Sequence, residues 1–166
     1  MDESTFQSFY DSTKQPLWRY IASLTKDDAL ADDIFQDTYI KFLQSNVEFT
    51  TDAGMKSYLY RTATNCMRDH WRKLKRERQW FEAGRDVPAE TSHPVEVQHD
   101  VEKALDGLSL QQRSLLWLAY AEEYEHKEIA QILELKEKSV KVLLFRAKQK
   151  MIGLARHLGI ANEATT

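Results

Sequence analysis

A row of acidic and amide side chains between residues 32 and 37 has the spacing of a binding surface on a helix. Its members are Asp32, Asp33, Gln36 and Asp37. On a helix these positions form one polar stripe opposite the apolar face. Carboxylates displayed in this way can pair with a basic partner, although a stripe that only faces solvent has the same spacing. A metal-dependent nuclease would need carboxylates that converge in a cleft, so we predict no metal site and no cofactor here.

A second group of residues mixes aromatic and cationic side chains between Tyr58 and Arg78. Residues 61–78 hold seven basic and two acidic side chains, a local charge of +5. The basic members are Arg61, Arg68, Arg72, Lys73, Lys75, Arg76 and Arg78, and the aromatic members are Tyr58, Tyr60 and Trp71. Cations can hold phosphates while aromatic rings stack on unpaired bases, at about 1–3 kcal/mol per base. This pattern favours contact with a separated nucleic-acid strand.

A third group lies in residues 136–156, where seven basic side chains stand against Glu137 alone, a local charge of +6. The apolar positions of His126–Leu133 and of the helix expected from Lys138 to about Leu154 fit a helix-turn-helix. A plain hairpin of two helices would show the same apolar spacing. The cationic second helix favours DNA binding.

The rest of the sequence predicts an all-α protein of two small helical domains joined by a flexible linker. Gly and Pro are scarce, at five and three residues, and apolar residues recur at helical spacing. The expected divisions are a first domain at 1–80, an acidic linker at 81–100 and a second domain at 101–166. The single cysteine, Cys66, is expected in the core. No signal peptide or membrane span is apparent, so we expect a cytoplasmic protein that is not inserted in a membrane.

Local signals place the helix ends. The first helix is expected to break at Pro16. The second should begin near Asp27 or Asp28 and run to about Leu43, with Leu43 on its apolar face. A long helix should start at Met55 after a loop over Ser45 to Gly54. Ser109 and Gln112 have the spacing of a capping box.

The chain resembles the extracytoplasmic-function (ECF) group of bacterial RNA polymerase sigma factors. Three motifs carry the resemblance: Ala31–Asp37, the Tyr58–Arg61 segment continuing through Asn65, Asp69 and Arg72, and Glu128–Ala130 with Ser139–Ala147. The resemblance implies sigma regions two and four, a non-enzymatic role in promoter recognition and melting, and three partners. These are core RNA polymerase through its β′ clamp and β subunits, promoter DNA, and an anti-sigma factor.

The resemblance also assigns residues to roles. Asp33, Gln36 and Asp37, with Asp32 in the same stripe, match positions that contact the polymerase clamp. Phe49 and Asn65 match a pocket for a base extruded from the minus-ten element, which requires the Ser45–Gly54 loop to fold back over the following helix. The full expected minus-ten set is Phe49, Tyr58, Arg61, Asn65, Arg68, Trp71 and Arg72. The expected minus-thirty-five set is Lys138, Ser139, Lys141, Phe145, Arg146 and Lys148.

This sequence departs from the family pattern at two turns and in one helix. Glu123 and Glu134 stand where relatives often have glycine, and a left-handed conformation at Glu134 would cost about 1 kcal/mol. Val142 and Leu143 replace a polar pair, which leaves thymine-methyl contact or core packing as their roles.

A DNA-binding activator that acts through its helix-turn-helix without polymerase is the main rival interpretation.

Overall fold

The computed structural model describes residues 2–83 and 106–159, which form helices and no strands. The all-α prediction is therefore confirmed. The first domain contains α1 (Glu3–Thr25), α2 (Asp28–Gln44) and α3 (Asp52–Glu82). The second contains α4 (Leu110–Leu116), a π-helical turn (Trp117–Ala121), α5 (His126–Leu133) and α6 (Glu137–His157). No described helix has both the length and the apolar character needed to cross a bilayer.

Helix α1 is continuous through Pro16, so the predicted break is wrong. Proline inside a helix removes a hydrogen bond and costs about 3 kcal/mol. Here the next residue, Leu17, is fully buried, as are Tyr20, Ile21 and Leu24 further along the helix. Packing on both sides of Pro16 keeps the two halves in one register and outweighs the local cost.

Side-chain caps fix the starts of α2 and α3. Asp27 accepts a hydrogen bond from the Leu30 backbone N–H at 3.0 Å, so α2 begins where the sequence predicted. Thr51 accepts one from the Gly54 N–H at 3.1 Å, and α3 therefore begins at Asp52, three residues before the predicted start at Met55. At its other end α3 continues to Glu82, into the segment expected to be linker; residues 84–105 lie outside the described part of the chain.

The second domain has the predicted helix-turn-helix. Ser109 and Gln112 form the expected capping box, with both reciprocal hydrogen bonds present. Glu134 ends α5 in the left-handed region at φ 56°, which the sequence had left open, and Glu123 also has a positive φ of 55°. The turn between α5 and α6 thus keeps a left-handed shape with glutamate in place of glycine.

The two domains share one continuous hydrophobic core. Helix α3 packs on α2 and α1, and on its far side it also contacts α5. The rings of Tyr60 and Tyr124 meet edge to face across the domains, with centroids 5.5 Å apart. Cys66 is buried, as predicted. Leu43, placed by the sequence on the apolar face of α2, is instead 56% exposed, and its neighbour Phe42 takes the buried position at this end of the helix.

Candidate polymerase-binding and nucleic-acid surfaces

The four polar residues of α2 form an exposed row, which we call the α2 stripe: Asp32, Asp33, Gln36 and Asp37. The Trp18 indole N–H donates a hydrogen bond of 2.7 Å to Asp32, which ties this carboxylate to α1. The other three side chains make no hydrogen bond or ion pair within the described residues. They are available to an external partner.

Two exposed apolar side chains extend the α2 stripe toward the end of the helix. Ile40 is 52% exposed and Leu43 56%. Ile40 follows Asp33 by seven residues and Gln36 by four, so it continues the same face. Sequence reasoning missed this extension by assigning Leu43 to the core, although the seven-residue spacing from Gln36 to Leu43 was a usable signal.

Five residues of α3 project from one side of the helix, here called the α3 face: Tyr58, Arg61, Asn65, Arg68 and Arg72. Their spacing of three, seven, ten and fourteen residues keeps them within about 80° around the helix. The Arg61 guanidinium lies 5.0 Å from the centre of the Tyr58 ring, and Arg68 donates to the Asn65 side-chain oxygen at 3.2 Å. The α3 face therefore presents three arginines together with the ring of Tyr58 and the amide of Asn65.

The loop before α3 folds back onto this face, as the pocket hypothesis required. Phe49 stacks on Phe42 with centroids 5.6 Å apart, and its ring lies 5.2 Å from that of Tyr58. A cavity of about 390 Å³ opens beside them, lined by Val47, Phe49, Gly54, Ser57, Tyr58, Arg61 and Gln131. This volume is within the range of about 300–1,000 Å³ seen for small-ligand sites.

The exposed side of α6 has an apolar centre and cationic margins. The central row along this helix, here called the α6 face, is Lys138, Val142, Phe145 and Gln149, and all four are exposed. Lys141 and Lys148 border it on one side and Arg146 on the other, while Ser139 is half-buried at the edge. Val142 is 48% exposed, so core packing is excluded for it, whereas Leu143 packs against the core.

Comparison with known proteins agrees with this division into two domains. Residues 9–77 match the family Sigma-70 region 2, and residues 98–151 match Sigma-70, region 4. The ECF RNA polymerase sigma factor SigM of Bacillus subtilis is 28% identical over 158 residues, covering 90% of this chain and 94% of the relative. SigX of the same organism is 29% identical over 174 residues, covering 97% of this chain and 87% of the relative.

The chain belongs to the ECF sigma factor family. As an alternative sigma factor it directs RNA polymerase to promoters. Among solved structures it resembles the sigma factor RpoE in complex with the anti-sigma factor NepR from Bartonella quintana. The TM-score is 0.74 at 25% identity, and the match covers 92% of this chain and 97% of that one.

The structure of this ECF sigma factor does not bring all the expected minus-ten residues together. Trp71 lies about 140° around α3 from Tyr58, on the side of the core. Tyr60, which the sequence grouped with the cations, is 2% exposed and belongs to the interdomain core. Asn65 lies one turn beyond Arg61 and does not line the Phe49 cavity. Trp71 and Tyr60 are aromatic, as base stacking requires, but their positions around the helix direct them away from the α3 face.

Burial raises the pKa of four tyrosines in the sigma factor core. The pKa of Tyr39 rises to about 12, and its hydroxyl shares a hydrogen bond of 2.8 Å with Thr13. Burial also raises the pKa of Tyr20, Tyr60 and Tyr124, and the nearby Glu122 carboxylate raises the last two further. All four remain neutral phenols at physiological pH, so their role is packing and hydrogen bonding.

The acidic residues of the sigma factor do not converge. Within residues 2–83 and 106–159, no group of three His, Cys, Asp or Glu side chains is arranged to hold a metal ion. Their spread along helix surfaces suits contact with a large partner.

Proposed function

We propose that the three surfaces divide the work of promoter-specific initiation. The α2 stripe, with Ile40 and Leu43, binds the β′ clamp of core polymerase. The α3 face and the Phe49 cavity hold the melted minus-ten strand, and the α6 face reads the minus-thirty-five element. The observation that carries this assignment is the α3 face, where cations, a ring, an amide and a base-sized cavity stand side by side.

Strand separation by the α3 face needs no nucleotide hydrolysis. An extruded base that enters the cavity can contact the rings of Phe49 and Tyr58 that line it, and a base–aromatic stack is worth about 1–3 kcal/mol, comparable with the cost of unstacking a base. Arg61 and Arg72 can hold the flanking phosphates. Chemical conversion of the DNA is not required, which supports a non-enzymatic role for the chain.

The α6 face combines positioning with base contacts. Lys138, Lys141 and Lys148 supply attraction to phosphates whatever the sequence. Arg146 can donate two hydrogen bonds to a guanine edge, and the exposed Val142 and Phe145 suit contact with thymine methyl groups in the major groove. The upstream element is therefore read by one cation and an apolar pair.

The same surfaces support the expected regulation and organisation. The related RpoE is seen with an anti-sigma factor. The Asp33 and Asp37 carboxylates, which have no partner among the described residues, offer such an inhibitor a site for basic side chains that would compete with polymerase. The minus-ten role belongs to the domain that ends with α3 at Glu82, and the minus-thirty-five role to the domain that contains α4, α5 and α6. The factor acts in the cytoplasm, where polymerase and promoter DNA meet.

Reconstitution with core polymerase tests the proposal as a whole. The chain should co-purify with core enzyme and support transcription from a promoter selected by that complex out of a random-sequence library. Core enzyme alone should not use this promoter. An activator that acts only through α6 would instead bind its site without polymerase, and binding of that kind with no transcription would reject the proposal.

Arg146→Ala should weaken recognition of one upstream base pair. Losing a bidentate contact to guanine costs about 1–3 kcal/mol of discrimination at that position. Promoter binding would be measured for single-base variants of the selected promoter at several salt concentrations. Arg156→Ala, an exposed arginine about 15 Å further along α6, is the charge-matched control.

The form of the loss from Arg146→Ala identifies the contact. A uniform loss with a shallower salt slope would assign Arg146 to a phosphate. If Arg146→Ala and Arg156→Ala behave alike at every base pair, the α6 face has been oriented wrongly.

Asn65→Ala should blur preference at one downstream promoter position. The amide now accepts a hydrogen bond from Arg68 but can also read a base edge, and loss of such a contact is worth about 1–3 kcal/mol. Open-complex formation on single-base promoter variants is the measurement. Gln79→Ala, an exposed amide further along α3, is the control. If the Asn65→Ala protein and the wild type show the same order of open-complex formation across the promoter variants, Asn65 only positions Arg68.

A further inference from the structure

The α3 face is partly covered by the helix-turn-helix of the same chain. The Arg68 guanidinium donates a hydrogen bond of 3.2 Å to the Leu133 carbonyl and lies 3.8 Å from the Glu134 carboxylate. Gln131, also from α5, forms one wall of the Phe49 cavity. As a result the Arg68 side chain is only 24% exposed. The end of α5 thus sits where the proposed minus-ten strand would run.

We propose that the chain closes on itself, with the end of α5 and the melted minus-ten strand competing for Arg68 on the α3 face. This inference rests on the proposed role of the α3 face in DNA binding. The Leu133 carbonyl occupies one N–H donor of Arg68 and the Glu134 carboxylate lies 3.8 Å from the guanidinium, so a phosphate would have to displace the end of α5 to bind at that donor. Release of α5 is then a condition for full strand capture.

The ion pair of Arg68 depends on Glu134, which lies in the turn between α5 and α6. Glu134 has a positive φ at the junction of α5 and α6, a position that glycine would fill with less strain. A glycine there would leave Arg68 without its carboxylate partner. The residue that departs from the family pattern is therefore the one that supplies the anionic half of the contact.

Closure blocks one surface and leaves two open. The α2 stripe and the α6 face remain exposed while α5 covers the α3 face. Polymerase can therefore dock, and duplex DNA can be approached, before α5 is released.

The test compares two glutamates with the same backbone conformation. Glu134→Gly removes the Arg68 partner, whereas Glu123→Gly removes an exposed glutamate at nearly the same φ, in the same domain, with no ion pair among the described residues. Both changes relieve left-handed strain and raise the net charge by one. Nitroxide labels at Lys41→Cys and Gln149→Cys, in a Cys66→Ala background of the full chain, report the distance between the domains.

Glu134→Gly should raise the ratio of open to closed chains by up to about fivefold, as expected for loss of a partly exposed ion pair. Glu123→Gly should leave the distance distribution unchanged. The proposal is overturned if neither glycine variant widens the distribution, or if both widen it equally.

Affinity for a fluorescein-labelled oligothymidine separates closure from DNA binding. Glu134→Gly should bind this probe more tightly than Glu123→Gly does, because Arg68 loses the carboxylate that competes with the phosphate and keeps only its hydrogen bond to the Leu133 carbonyl. Arg68→Ala should also open the chain but bind the probe more weakly. If Arg68→Ala opens the chain without any change in probe affinity, the interdomain contact stands but competition for Arg68 is rejected, together with the DNA-binding role of that residue.

Discussion

Replacing Asp33, Gln36 and Asp37 together by alanine should weaken core-polymerase binding by about 30-fold or more, because loss of one interface hot spot costs about 2 kcal/mol or more. All three are exposed and make no side-chain hydrogen bond or ion pair among the described residues. Alanine favours helix formation, so the free energy of unfolding should change by less than about 0.5 kcal/mol per site. Titration of labelled core enzyme with the variant measures the loss.

Asp28→Ala is the control for the α2 stripe. This exposed carboxylate belongs to the same helix but lies about 140° around it from Asp33. Its removal should lose only a helix-dipole interaction of about 0.3–1 kcal/mol and leave polymerase binding intact. Undiminished binding by a folded triple variant would move the polymerase contact away from α2.

Tyr58→Ala should reduce open-complex formation by about 10- to 100-fold, since one base–aromatic stack is worth about 1–3 kcal/mol. The Tyr58 ring contacts Phe49 and Phe42 and carries Arg61 above it, so its removal empties one wall of the cavity. Reactivity of unpaired thymines in the open complex reports the loss. Binding to core polymerase and to the upstream element should remain, since α2 and α6 are untouched.

The Tyr58→Phe variant separates the role of the ring from that of the hydroxyl. The ring is kept and the hydroxyl is lost, so open-complex formation should stay within about twofold of the wild type. Thermal unfolding of both variants shows whether the half-buried ring is needed for stability. If Tyr58→Phe and Tyr58→Ala reduce open-complex formation equally, the effect belongs to the hydroxyl. If Tyr58→Ala melts the promoter as fully as the wild type does, the Tyr58 ring is not part of the proposed pocket.

Features that depend on nearby residues were predictable from the sequence. The Asp27 cap and the Ser109–Gln112 capping box each involve hydrogen bonds between residues three apart. The α2 stripe and the cations of α6 are exposed as expected, since helical spacing alone places them away from the apolar rows.

Features that depend on distant contacts were not predictable in this way. Pro16 stays helical because residues on both sides of it are buried against α2 and α3. Tyr60 and Trp71 look like members of an aromatic DNA surface, yet their helical phase turns them to the core. The contact of Arg68 with α5 joins residues 65 positions apart, and no local pattern carries that information.

The π-helical turn at Trp117–Ala121 lets the chain carry one additional residue before Tyr124. The Glu122 N–H donates to the Trp117 carbonyl five residues earlier, at 3.1 Å, so this turn holds one residue more than an α-helical turn would. Deleting one residue from it would leave an ordinary α-helical turn, so the residues that follow would keep nearly the same rotation about the helix axis. The edge-to-face contact of Tyr124 with Tyr60 should therefore tolerate a single-codon deletion within this turn, because the π-helical turn supplies the residue that is lost.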